Sequence, residues 1–183
     1  MNALNTALQH QPTSQETLLS LPQQFKAQLP LSASLAAQIA EHRQTIQNIL
    51  AGTDPRLLVI TGPCSIHDPV AALEYAQKLQ HLQAQVSDQI FLVMRTYIEK
   101  PRTTVGWKGF MYDPDLDGSS DLQAGLEQSR QLYLHIIEMG LPIASEILSP
   151  MATAYFDDLL AWGAIGARTS ESQIHREIAS QMP

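Results

Sequence analysis

The sequence predicts an α/β fold: parallel strands alternating with helices, four β/α units behind an N-terminal arm and a first helix. Three observations lead there. Short apolar runs of strand length recur between segments of helical period. Those runs are apolar on both faces, as strands buried in a parallel sheet should be. Helix stop and start residues (Gly, Pro, Asp) fall between them.

Residues 1–33 are polar, Gln-rich and broken by Pro12, Pro22 and Pro30, which reads as an arm. Its apolar residues Leu18, Leu19, Leu21, Phe25, Leu29 and Leu31 suggest that it lies on a surface as a partner-binding extension rather than a core element, with a disordered tail as the bland alternative. The partial barrel then runs from 34 to 183. Leu35, Ile39, Ile46 and Ile49 share one face of a helix starting at Ser34 and stopped by Gly52. Leu57 to Ile60 is a buried strand bounded by Pro55 and Gly62. Asp68 caps the next helix with Pro69 at its first position. Its apolar face carries Val70, Leu73, Leu79, Leu82 and Val86. Ile90 to Met94 is the second strand.

The polar stretch EKPRTTVGWKGFMYDPDLDGSS is too long for a simple connection, and such loops are functional or disordered. Asp121 to Met139 is a helix with Leu122, Leu126, Tyr133 and Ile137 on one face, stopped by Gly140. Strand-like IASEIL follows, then a helix over Thr153 to Trp162, strand-like AIGAR and a helix after Thr169. Four such units make half of a (β/α)8 TIM barrel, whose active face is formed by the carboxyl ends of the strands. Cys64, Arg95, Glu146 and Arg168 all fall at such ends. The chain stops at SQMP, where a fifth strand is expected.

Composition narrows the function. The chain has 183 residues, 44% of them hydrophobic, enough for one domain with a core. A formal net charge of −7 argues against a nucleic-acid coat. One cysteine excludes an internal disulfide and fits a reducing compartment. There is no apolar run of about 18 residues to span a membrane, and no secretory signal pattern at the N-terminus. A cytoplasmic protein is expected.

Only 11 residues are Lys or Arg, yet Arg95, Lys100, Arg102, Lys108 and Arg168 fall at strand ends or in the loops that follow. In an acidic chain that placement points to an anionic small molecule, because guanidinium and ammonium groups pair with phosphate and carboxylate. Salt bridging with surface acids is the bland alternative. Glu146, on an apolar strand, needs a partner, and Arg95 or Arg168 could supply it. Cys64 is open to three readings: a nucleophile needing a base, a core thiol, or one ligand of a metal that needs three or four.

GPCSIHDP, MRTYIEKPRTTVGWKG and GAIGARTSESQIHRE, in this order and spacing, resemble the class I family of 3-deoxy-7-phosphoheptulonate (DAHP) synthases over about residues 16–183. KPRTTVGWKG argues against the related octulosonate phosphate synthases. The resemblance implies a (β/α)8 barrel that condenses phosphoenolpyruvate with erythrose 4-phosphate, the first step toward aromatic amino acids. It implies a divalent metal (Mn, Fe, Co or Zn) with Cys64 as one ligand, and Arg95, Ala167 and Arg168 on phosphoenolpyruvate. Lys100 would lie beside the reacting carbons, and Arg102 and Thr103 would hold the sugar phosphate. Glu146 would orient the site and its attacking water. The enol C3 attacks the aldehyde carbon, C2 takes water, and phosphate leaves by C–O cleavage.

It further implies feedback by an aromatic amino acid, tyrosine favoured, near the arm and LSPMATAY. In the family the remaining metal ligands, and a further lysine and arginine, come from the second half of the barrel. Two readings therefore stand: a DAHP synthase transferase, or a non-catalytic interaction protein cut short from one. The apolar sheet edges predict a homo-oligomer.

Overall fold

A computed structural model describes residues 18–182. The elements are α1 (Pro22–Gln28), α2 (Ala33–Leu50), β1 (Leu57–Thr61), α3 (Pro69–Val86), β2 (Ile90–Arg95), α4 (Leu122–Glu138), β3 (Ile143–Glu146), α5 (Pro150–Phe156), β4 (Trp162–Ala164) and α6 (Gln173–Gln181). The strands form one sheet, ordered β1-β2-β3-β4, with every neighbouring pair parallel. This is the expected half-barrel topology.

Register places the site. β1 pairs with β2 from Leu57↔Ile90 to Thr61↔Met94, whereas β3 begins opposite the end of β2, at Met94↔Ile143. That stagger is the shear by which tilted strands curl toward a barrel. Alternation then splits β2 between two apolar layers. Leu92 and Met94 join the main core with α3, α4 and α5, while Phe91 and Val93 pack with Ile46 of α2. Tyr133 of α4 is fully buried and donates to the Thr96 carbonyl (2.6 Å), tying that helix to the end of β2. Burial pushes its phenol well above the usual range.

Local signals behave as their chemistry dictates. The Asp68 carboxylate accepts from the Val70 and Ala71 N–H groups, with Pro69 at the first helical position. Asp121 caps α4 in the same way through Ala124, and Gly140 ends it at φ +82°.

Four expectations are corrected. Residues 1–17 of the arm lie outside the described residues, but residues 18–31 are more than a surface strap. Phe25 is 0% exposed and meets Tyr155 edge-on at 5.2 Å, so this part of the arm is core. The strand 57–60 is not buried on both faces: as the sheet edge it leaves Leu57 63% and Ile60 38% exposed. On α3 Leu73, Leu79 and Val86 do pack on the core, joined by Ala72 and Ala76, but Val70 and Leu82 are exposed. Finally, the helix expected over Thr153–Trp162 is α5, Pro150–Phe156, and the fourth strand is Trp162–Ala164 rather than AIGAR. Ser149-Pro150 starts the helix early, and pairing with β3 draws Trp162 and Gly163 into the sheet.

Candidate functional site

The β1–α3 turn brings Cys64 to the carboxyl-end rim of the sheet. Ile66 is buried and its N–H donates to the Tyr97 carbonyl (2.8 Å), which pins the turn across the end of β2. Gly62 permits the crossing: a Cβ there would lie 2.4 Å from the Arg95 carbonyl oxygen. Cys64 remains exposed.

The long polar loop is ordered. Ile98, Phe110 and Met111 are buried at its base, the Met111 N–H donates to Ile98, and the Lys100 N–H donates to Lys108. Gly109, at φ +116°, closes it, since a Cβ would lie 2.4 Å from the Ile98 carbonyl oxygen. The closed loop aims Lys100 back at the first turn, where its ammonium donates to the Cys64 sulfur (3.0 Å). That bond and charge, with the charges of Arg95 and Arg102, hold the thiol below its usual range. Replacing Lys100 with Met should therefore slow alkylation of Cys64 by iodoacetamide at pH 7 roughly fivefold, because the thiolate is the nucleophile. The difference should vanish above the free-thiol range. Equal rates at pH 7 would contradict the pairing.

The long loop, the β3–α5 connection and the turn after β4 line a cleft of about 430 Å³. Lys100, Arg102, Thr103, Lys108 and Arg168 line it, so four of the five rim cations meet there. The fifth, Arg95, is turned toward the first loop. It donates to the Pro63 (2.8 Å) and Gly62 (3.3 Å) carbonyls and lies over the Tyr97 ring. Ala167 is exposed in the turn before Arg168.

Glu146 departs from its expected pairing. Among the described residues no ion pair joins it to Arg95 or Arg168. Its carboxylate instead faces Gly166, where a Cβ would lie 2.4 Å from Oε1. Register explains this: Arg95 is level with Ala144, two residues short of Glu146. A residue not singled out by the sequence, Glu99, is the better buried carboxylate at 6% exposure, and it lines the same cleft. Burial pushes its carboxyl up, against the backbone N–H groups of Ser149 and Leu148 and the Tyr112 hydroxyl that bond it.

Among the described residues no group of three or more His, Cys, Asp and Glu side chains is placed to hold a metal ion. Cys64 offers one donor where three or four are needed. The described residues do not by themselves fit the implied divalent metal.

Residues 28–183 match the model of the DAHP synthetase I family. The chain belongs to the DAHP synthetase I family. It is 56% identical over 174 residues to the Tyr-sensitive phospho-2-dehydro-3-deoxyheptonate aldolase of Escherichia coli (strain K12), covering 95% of this chain and 49% of that relative. The Trp-sensitive enzyme of the same strain is 51% identical over 164 residues, covering 90% and 47%. The solved phospho-2-dehydro-3-deoxyheptonate aldolase of Francisella tularensis SCHU S4 superposes with a TM-score of 0.87 at 47% identity, covering 91% of this chain and 49% of that one. The chain thus spans about half the length of the DAHP synthetase I relatives it matches. No helix among the described residues is long and apolar enough to cross a membrane.

Proposed function

We propose that this chain supplies the substrate-anchoring half of a DAHP synthase site, in which phosphoenolpyruvate condenses with erythrose 4-phosphate. The observation that carries this reading is the convergence of Lys100, Arg102, Lys108 and Arg168 on one cleft beside Cys64, in a chain of net charge −7. Two multiply charged phosphates repel each other, and fixed cations on strand-end loops offset that repulsion and hold the reacting carbons together.

Arg168 and Lys100, with Arg95 behind them, take the phosphate and carboxylate of phosphoenolpyruvate. The Lys100 ammonium lies next to the enol carbons. Arg102 and Thr103, farther out on the loop, take the sugar phosphate. Glu146, beside Gly166, orients the water that attacks C2. The family match and the names of the relatives support this reading over a non-catalytic interaction protein. We assign tyrosine as the regulatory aromatic amino acid, supported by the higher identity to the Tyr-sensitive relatives.

Two-ligand titration tests the proposal. Erythrose 4-phosphate should still bind when phosphoenolpyruvate is saturating, with each ligand shifting its own set of amide resonances. Mutual displacement would show a single anion site and overturn the two-substrate reading.

A further inference from the structure

Glu99 is a carboxylate in a cleft whose other charged lining residues, Lys100, Arg102, Lys108 and Arg168, are all cations, and none of the roles above uses it. Its Oε2 accepts the backbone N–H groups of Leu148 (3.2 Å) and Ser149 (3.3 Å), and its Oε1 accepts the Tyr112 hydroxyl (3.3 Å). Leu148 and Ser149 belong to the β3–α5 connection, whereas Glu99 and Tyr112 belong to the loop after β2. The same Leu148 peptide is held from the other side. Its carbonyl accepts from Nε2 of His175 on α6 (2.8 Å). A carbonyl can only accept, so the Nε2–H donates, and Nδ1 shares a hydrogen bond with the Ser172 hydroxyl (2.8 Å).

Leu148 is therefore a junction of three loops. Glu99 grips it from the loop that bears Lys100 and Arg102, and His175 grips it from the segment that bears Arg168. We propose that Glu99 is a positioning residue that sets the spacing of Lys100 and Arg102 from Arg168 by clamping the Leu148-Ser149 backbone. The proposal rests on the reading of the cleft as the substrate-phosphate site. Burial of Glu99 favours the clamp, since a desolvated carboxyl keeps bonds that water would otherwise exchange.

Charge and position make opposite predictions here. A carboxylate repels phosphate, so if its charge were its only influence, removing it would tighten anion binding. If it positions the loops, removing it weakens binding, and an isosteric amide that still accepts both N–H groups restores it.

The test is calorimetric titration of the chain with phosphoenolpyruvate. Glu99→Ala should weaken binding about tenfold, as expected for losing a set of buried hydrogen bonds. Glu99→Gln should stay within about twofold of the parent, and Tyr112→Phe should weaken binding about threefold. Tighter or unchanged binding by both Glu99 variants overturns the proposal, and so does equal weakening by both. If Glu99→Ala fails to fold by circular dichroism, the remaining pair decides: a tenfold loss in Glu99→Gln, or no effect in Tyr112→Phe, overturns it. Arg168→Ala separates the two levels. If the parent binds but Arg168→Ala binds equally well, the cleft reading itself fails. If Arg168→Ala weakens binding and Glu99→Ala does not, only the positioning role fails.

Discussion

Replacing Arg130 with Met should lower the stability of the chain by about 3–5 kcal/mol, the range for breaking a buried, hydrogen-bonded ion pair. Arg130 sits on α4 and is fully buried. Its guanidinium makes a two-pronged pair with Asp158 (2.9 and 2.7 Å) and also donates to the carbonyls of Tyr155 (2.9 Å) and Leu29 (2.8 Å). One side chain thereby fastens three pieces: the arm after α1, helix α4, and the end of α5. Lys26 adds its ammonium to Asp157 from the arm side, and the Tyr155 hydroxyl donates to the Ser20 carbonyl. Met fills the volume but leaves two carbonyls without donors. Urea unfolding followed by circular dichroism measures the loss. A change of less than about 1 kcal/mol, the worth of a surface pair, would show that the clamp is incidental. The fluorescence of Trp162, in β4 beyond α5, should respond at lower urea in the variant if the arm and α5 loosen first.

Much of this architecture is legible in the sequence because its signals are local. Asp68-Pro69, Asp121 and Gly140 mark helix ends through bonds or dihedral angles within a few residues, and the structure keeps each of them. Clustering of the rim cations is legible too, since strand ends in a parallel sheet share one side. The stretch 153–168 is misread because its apolar residues are buried for different reasons. Phe156 packs from the end of a helix, Leu159 and Leu160 from the connection, and Ala161 beside the sheet, so no single period describes them. Glu99 is invisible for another reason: its backbone partners are 49 and 50 positions away and carry no side-chain signature. Arg130 likewise looks like a solvated helix residue until the arm and α5 close over it. Glu146 without an arginine partner reflects the stagger between β2 and β3, which depends on pairing rather than on composition.

Calorimetric titration with phosphoenolpyruvate of the parent chain and of the Lys100→Ala, Arg168→Ala double variant tests most directly whether this cleft anchors the substrate. The parent should bind in the millimolar range, about −4 kcal/mol. Each cation contributes a charge-assisted hydrogen bond, and losing both should weaken binding about a hundredfold, beyond detection. The far-ultraviolet spectrum should be unchanged, because both side chains line the open cleft and neither belongs to the buried core. Binding that survives in the double variant with its affinity intact would place the phosphate elsewhere and contradict the account.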